Sequence, residues 1–422
     1  MFRKLAVAAG AAALGLAGVT LGIAGTGSIT SGNAVEGQAF TGPVATYTSS
    51  FSANQRFVYQ LYEDLLGRAP STAELADWTT ALSGDTTRSQ VAAALLHTDE
   101  YRGLLVDSIY QSFLKRDPDS SERASGIVLL GSGVSDELLK ATVLGSPEFF
   151  TTQGGGTVDG FLNALYEDVL GRAIDPDAQA LYESQIASGA TDSYVALEVL
   201  TSTEAREDLV KGDYQRFLHR APDTTELSSF AGALASGSTD EDVIAAIVAT
   251  DEYLTDASTS TATIDWGDGT PTSTVTFAVD TLGTGTIGGS HTYSEEGTYP
   301  VGVAVSDLDG TFTISGTNTV SDAALTASPE TVTVVKRHAF TETVATFTDA
   351  NPDAPVSDFT ATIDWGDGTS SAGTVSAVVG GGFAVAGDHE YKRKGTYSVV
   401  VQIDDEGGSS ATVTSTVEVV PH

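Results

Sequence analysis

The sequence predicts a multidomain α plus all-β fold: an all-helical repeat module and two β-sandwiches, the first split by insertion of the helical module. Three observations lead there. A tyrosine-anchored pattern with helical spacing recurs four times between residues 54 and 256. From residue 258 the texture turns to Thr, Val and Gly with alternating apolar positions, and a Trp-centred motif there recurs after 99 residues. Residues 39–48, near the N-terminus, copy the opening of the second of those β-repeats.

A chain of 422 residues, at roughly 150 per domain, suggests two to four domains, and its 41% hydrophobic share can fill packed cores. Its 20 Lys and Arg stand against 56 Asp and Glu, a formal charge of −36. Such a polyanion is repelled by nucleic acid and by anionic lipid, so neither is an expected partner. With no cysteine, a disulfide framework, thiolate metal sites and Cys nucleophiles are excluded.

Arg3 and Lys4 precede an uncharged run from Leu5 to about Ala24. That is the layout of a secretory signal, with small residues offering cleavage after Ala24 or Ala34. The run is long enough to stay as an anchor, but its Ala/Gly richness favours cleavage. The expected location is extracellular or at the cell surface, with membrane contact only through an uncleaved N-terminal segment. Residues 1–34 are assigned to this leader, 35–50 to opening strands of the first sandwich, and 51–257 to the helical module. The first sandwich then resumes over 258–322, and the second occupies 323–422.

The helical repeat is anchored by Tyr62 and Arg68, Tyr110 and Arg116, Tyr166 and Arg172, and Tyr214 and Arg220. Apolar residues lie at −4, +3 and +4 from each Tyr, such as Val58, Leu65 and Leu66 in the first copy, which is one buried helical stripe. Pro70, Pro118, Pro176 and Pro222 break the chain after each Arg, and neighbouring Asp, Ser or Thr cap the next helix. Trp78, Tyr182 and Phe230 recur ten residues past the Arg, where the second copy has Gly126. Gly84, Gly133, Gly189 and Gly237 close that helix. Each unit is expected to hold three or four short helices, with Gly154-Gly155-Gly156 as a joint between two pairs of repeats. The pattern resembles a bacterial extracellular domain family of unknown function, itself similar in pattern to phycobilisome linker domains. The resemblance implies an all-helical assembly module and no known activity. In the third copy Glu204-Ala205-Arg206 departs from the usual aromatic.

In the β-region, Ile264-Asp-Trp266-Gly-Asp268-Gly-Thr270 recurs as Ile363-Asp-Trp365-Gly-Asp367-Gly-Thr369, and His291-x-Tyr293 with Gly297-x-Tyr299 recurs as His389-x-Tyr391 with Gly395-x-Tyr397. Trp266 and Trp365 are read as core fillers and the adjacent aspartates as turn formers. These motifs resemble the polycystic-kidney-disease (PKD) repeat, an immunoglobulin-like sandwich of extracellular proteins. The second copy opens with Ala339-Phe-Thr-Glu-Thr-Val-Ala-Thr-Phe-Thr348. Its counterpart is Ala39-Phe-Thr-Gly-Pro-Val-Ala-Thr-Tyr-Thr48, 300 residues earlier, with seven of ten positions identical. Residues 39–48 are therefore expected to hydrogen-bond into the sheet that contains 262–270.

Gly283-Thr-Gly285-Thr-Ile-Gly288 has the spelling of a dinucleotide loop but sits in β context, which points to a hairpin. His291 and His389 are read as structural. Asp307-Leu-Asp309-Gly310 and Asp404-Asp405-Glu406-Gly407 offer clustered carboxylates to Ca²⁺, without the full spacing of an EF-hand. They are read as solvated turns, so no cofactor is assigned, and Ca²⁺ is the one ion their carboxylates would suit. Arg68, Arg116, Arg172 and Arg220 are read as structural, with Glu100 and Glu148 as candidate pairing partners. Lys392, Arg393 and Lys394 form a local positive spot where the first sandwich has Ser294-Glu295-Glu296, a candidate contact for an acidic partner.

No catalytic residue is assigned. The expected role is a secreted or surface structural and interaction protein, whose partners are extracellular proteins or glycans. A carbohydrate-binding accessory protein, which needs an exposed row of aromatics, and a hydrolase hidden in the helical region are the alternatives.

Overall fold

The structure, a computed structural model, describes residues 25–30, 32–256, 258–280, 282–308 and 310–422. The leader through Ala24 and the carboxylate of Asp309 lie outside the described residues. Phe51–Thr259 forms one compact unit, and the stretches ending at Ser50 and starting at Ser260 form the other.

In the helical unit the first repeat comprises α1 (Ala53–Leu66), α2 (Thr72–Ser83) and α3 (Arg88–Leu96). Next come α4 (Asp99–Leu114), α5 (Ser120–Gly131), α6 (Asp136–Leu144) and α7 (Pro147–Thr152). The third repeat follows as α8 (Val158–Leu170), α9 (Pro176–Ala187) and α10 (Asp192–Leu200). The last set is α11 (Thr203–Phe217), α12 (Thr224–Ala235), α13 (Asp240–Val248) and α14 (Asp251–Asp256). Each of α1 to α13 begins on a Ser, Thr or Asp whose side chain accepts an N–H of the first turn, as Ser52 does from Gln55 and Asp119 from Glu122.

The repeats are less separate than their sequences suggest. Asp99-Glu100-Tyr101, which ends the first repeat, and Tyr110, which starts the second, lie on one helix, α4; α11 joins the third and fourth in the same way. Each rod reaches two cores. One core combines repeats one and four, with Phe57, Leu61 and Tyr62 against Val210, Tyr214 and Phe217, and it takes Tyr101 from α4. The other combines repeats two and three, with Ile109 and Phe113 against Phe161 and Leu165. Gly155 and Gly156, at φ +61° and +75°, separate α7 from α8. The glycine joint therefore lies within the second pair of repeats instead of between two sequential pairs, because continuous α4 and α11 carry neighbouring repeats into different cores.

Among the described residues of the other unit, two immunoglobulin-like sandwiches of eight strands each follow one plan. The first has β1 (Thr26–Ile29), β2 (Ala34–Val35), β3 (Ala39–Thr48), β4 (Thr259–Asp265), β5 (Ser273–Ala278), β6 (Thr284–Thr292), β7 (Gly297–Asp307) and β8 (Gly310–Ser321). The second has β9 (Leu325–Pro329), β10 (Thr331–Val335), β11 (Phe340–Asp349), β12 (Phe359–Asp364), β13 (Ser370–Ala377), β14 (Phe383–His389), β15 (Gly395–Asp405) and β16 (Ser410–Val420). The opening strands thus start at Thr26, well before residue 35. β3 pairs antiparallel with β6, Phe40 opposite His291, with a bulge between Pro43 and Ala45. β11 pairs with β14 in the same way, Phe340 opposite His389, with a bulge between Thr343 and Ala345.

Contrary to the expectation from the sequence, β3 does not join the sheet of residues 262–265. It lies in the β1-β3-β6 sheet, whereas β4 belongs to β2-β8-β7-β4-β5. The connection interrupted by the helices is a crossover between sheets, so its two ends belong to opposite layers. Val44, Ala45 and Tyr47 of β3 still fill the same core as Ile264, Trp266 and Val303. Trp266→Ala is expected to cost about 3–5 kcal/mol and Val44→Asp a similar amount. Followed by near-UV circular dichroism, both should lower one shared melting step while the helical signal at 222 nm keeps its midpoint.

Candidate functional site

The polar residues that recur in the helical repeats converge on a clasp. Arg68 Nε donates to Glu100 Oε1 at 2.6 Å, its Nη2 donates to Glu74 Oε1 at 2.9 Å, and its guanidinium lies 5.1 Å from the centre of the Tyr62 ring. Arg116 repeats this with Glu148 and Glu122 over Tyr110, and Arg220 with Glu252 and Glu226 over Tyr214. In the third copy Arg172 keeps Glu204 at 2.6 Å and its place over Tyr166, but Ala178 stands where the other copies have Glu, and Asp175 at 3.5 Å is the nearer substitute. The bonds from arginine hold Glu74, Glu122 and Glu226 down to about 2 and lower Glu100, Glu148, Glu204 and Glu252. Each Glu of the first kind also caps its own helix, as Glu74 does at Ser71. One clasp therefore ties together the end of one helix, the start of the next and the start of the helix two further on.

Tyr62, Tyr166 and Tyr214 are buried and Tyr110 is half-buried. Trp78 Nε1 donates to Tyr62 Oη at 3.0 Å, and Tyr182 and Phe230 pack edge-on or tilted against Tyr166 and Tyr214. In the second copy a Cβ on Gly126 would come within 2.6 Å of Val106. There α5 approaches α4 too closely for an aromatic, which leaves Tyr110 less covered.

A second polar cluster was not foreseen. Lys140 on α6 bonds Asp136 of its own helix and Asp240 of α13, the latter at 3.3 Å. Asp136 and Asp240 are almost fully buried, and each has one oxygen with no partner among the described residues. Burial opposes the charge on Lys140, but Asp136 and Asp240 outweigh it and hold the ammonium's pKa up. Asp213 of α11, also buried, is pushed up to about 7 by desolvation, against the opposing charges of Arg216 and Lys140. The one signal in the sequence is Lys140 itself, since the other copies have Ala92, Ala196 and Ile244 at that position.

In the sandwiches the repeated turn is a closed network. Asp268 accepts from Thr270 and from His291 Nε2 at 2.7 Å, and the His291 ring stacks on Trp266 with centroids 4.7 Å apart. Tyr293 Oη donates to the Trp266 carbonyl at 3.2 Å, and Trp266 Nε1 donates to Ser273. Asp367, His389, Trp365, Tyr391 and Ser371 repeat every contact. Burial works against Asp268 and Asp367, yet these bonds hold both below their usual range. The Gly283–Gly288 stretch is the tip and start of β6, with Gly283 at φ +85°. A cavity of about 10 Å³, barely room for one water, is lined by Ile29, Phe40, Val44 and Trp266.

Where the two sandwiches meet, carboxylates gather. Glu36 accepts backbone N–H groups of Glu296 and Ala323 and rises to about 7, mainly through burial. Asp405 is raised to about 6 by burial, with Asp322, Asp349 and Asp358 adding like charge. This brings the Asp404–Gly407 turn to the joint. Asp307 instead accepts from Tyr47 Oη at 3.2 Å. Lys392, Arg393 and Lys394 are exposed on the loop between β14 and β15.

These shifts have opposite consequences for stability. The glutamates held low in the clasps contribute stability above their ordinary range near 4.5, and it is lost as pH falls toward 2. Asp213 binds its proton more tightly when folded, so its contribution declines as pH climbs from about 4 through 7. Asp213→Asn should therefore raise the melting temperature at pH 8 and leave it unchanged at pH 4, and Glu36→Gln should do the same for the sandwich transition. Lys140→Met, which strands Asp136 and Asp240, should destabilise the helical unit by about 3–5 kcal/mol in urea titration. Arg68→Ala is expected to lower its melting temperature by about 2–4 °C, and Arg68→Lys should not restore it, because one ammonium cannot span both glutamates.

Residues 44–105, 140–209 and 205–256 match the family described as "Domain of unknown function (DUF4214)". No curated protein matches the chain. Among solved structures, a PKD domain of an M14-like peptidase from Thermoplasmatales archaeon SCGC AB-540-F20 is similar at 22% identity, over 24% of this chain and 98% of that one, with a TM-score of 0.17. Protocadherin Gamma B7 extracellular cadherin domains 1-4 are similar at 10% identity over 38% of this chain, with a TM-score of 0.22, and the ICAM-5 D1-D4 ectodomain fragment at 13% over 39%, with a TM-score of 0.25. The chain spans 41% and 46% of those two fragments.

Proposed function

We propose that this chain is a non-catalytic structural and interaction protein of the cell surface or extracellular matrix, working in adhesion or in assembly of an envelope. The observation that carries this reading is the closure of its recurrent polar groups upon one another. Every Tyr–Arg clasp is bonded to carboxylates of its own module, and both Asp–His pairs are stacked and bonded inside their sandwiches. A constellation repeated four times, each closed on carboxylates of its own module, is what module-building requires, whereas a reaction centre requires one divergent site.

The sandwiches are taken as PKD-like repeats and the helical unit as a linker-like assembly module of the phycobilisome-linker type. The N-terminal run is a secretory signal in this reading, cleaved after Ala24. Cleavage after Ala34 would remove β1, which pairs with β3, and Ala34 itself, which is buried in the first sandwich. Extracellular proteins or glycans are the partners, and Ca²⁺ at the joint of the sandwiches is an accessory at most.

Expression in a secreting bacterial host tests the reading. The expected product appears in the envelope or medium with its N-terminus at Gly25, and the purified protein turns over no member of a panel of polysaccharide, peptide and ester substrates. Cytoplasmic retention, or turnover abolished by one acid or base substitution, would overturn it.

A further inference from the structure

Outside the helical unit and the leader, the chain holds only five Lys and Arg: Lys336, Arg337, Lys392, Arg393 and Lys394. The first sandwich has none. Cations placed for solubility alone would be scattered, but these five sit at one end of the second sandwich. Arg337 N–H donates to the Tyr391 carbonyl at 2.8 Å, beside Lys392, which holds the 336–338 and 392–394 loops together. Arg337, Lys392, Arg393 and Lys394 are exposed, and none of the five is in an ion pair among the described residues.

The first sandwich shows what this end does. Gly37 N–H donates to the Tyr293 carbonyl at 2.8 Å, just as Arg337 does to Tyr391. Gly37 and Arg337 share a left-handed backbone, φ +64° and +59°. Tyr299 Oη bonds the Glu295 carbonyl as Tyr397 Oη bonds that of Arg393. Glu36-Gly37-Gln38 and Ser294-Glu295-Glu296 are thus the counterparts of Lys336-Arg337-His338 and Lys392-Arg393-Lys394. In the first sandwich these two loops dock on the next protein module: Gln38 bonds the Ala350 carbonyl, and Asn351 Nδ2 donates to the Ser294 carbonyl at 3.3 Å. The backbone that forms this joint recurs in the second sandwich with its charge reversed.

We propose that the end of the second sandwich bearing Lys336, Arg337, Lys392, Arg393 and Lys394 docks on an acidic surface of a second copy of this chain. The shape is that of a protein-docking end, which favours a folded partner over a flexible polymer. The rest of a chain of net charge −36 supplies the complementary sign. Such a contact joins unlike surfaces, so it adds copies head to tail. The inference rests on the assembly role proposed above and gives it a partner and a direction.

Sedimentation of the purified full-length chain tests it. At an ionic strength of about 20 mM the mean mass should rise with protein concentration, and at about 0.5 M salt it should return to the monomer. The variant K336E/R337E/K392E/R393E/K394E, with unchanged circular dichroism, should stay monomeric alone. Added in excess to the parent chain it should lower the mean mass, because it can accept a neighbour but not donate. Association of the variant equal to that of the parent overturns the proposal. A parent chain that is monomeric at all salts also overturns it, including one that binds soluble alginate through these five residues, which assigns the end to an anionic polymer. Substrate turnover would instead sink the non-catalytic reading and leave the sedimentation result standing.

Discussion

The pairing of β3 with β6 is the constraint on which the sandwich unit depends. Without Ala39–Thr48 the first sandwich would lack the strand that covers Trp266 and Ile287. Its edge would present unpaired backbone from Thr284 to Thr292. Yet this strand is separated from β4 by the whole helical unit, where the second sandwich uses about ten residues. For a flexible loop, lengthening the connection some twenty-fold costs about 3 kcal/mol of closure entropy. The insert lowers even that, because its own first and last helices pack together: Phe57 of α1 meets Tyr253 of α14 with ring centroids 6.0 Å apart, and Tyr253 Oη bonds Asp64 at 2.7 Å. A folded insert whose ends already meet behaves as a short loop.

The same economy explains the pairing of repeats one and four. A linear stack of four repeats would leave its terminal apolar faces exposed. Joining the last repeat to the first buries both, and the fused rods α4 and α11 make this possible by each serving two cores. The clasps fix where those rods begin and end. Because Arg68, Arg116 and Arg220 each reach a Glu 6 residues on and another 32 residues on, one side chain sets the spacing of a helix end, a cap and the following repeat. The third copy shows the margin in this device, since it keeps the distant Glu204 and loses the near one to Ala178 without losing the fold.

Much of this was legible in the sequence because it repeats. Tyr, Arg and Gly recurring in register gave away the helices, and the identity between 39–48 and 339–348 gave away the split sandwich. What stayed hidden depends on contacts that no local pattern encodes. Nothing near Gly154 tells whether sequential or distant repeats share a core. Lys140 has no counterpart in other copies, so a search for recurrence passes over it, although it joins α6 to α13. The sheet that receives β3 could not be read from 262–270, because a crossover changes layer without changing the alternation of side chains.

The two ends of the sandwiches separate fold from surface chemistry. Hydrogen bonds from Gly37 to Tyr293 and from Arg337 to Tyr391 are the same bond in two places, and the tyrosine networks behind them agree almost atom for atom. The side chains on those loops nevertheless differ in sign. At the first end Glu36 lies beside Glu296 and Asp322, and Asp322 in turn lies beside Asp405, so the covalent linker, together with backbone donors such as Ala323, must hold a joint that charge opposes. At the second end the same two loops carry Lys336, Arg337, Lys392, Arg393 and Lys394, which attract an acidic face where the first end repels one. A joint held by charge alone needs such cations, whereas a tethered joint can do without them.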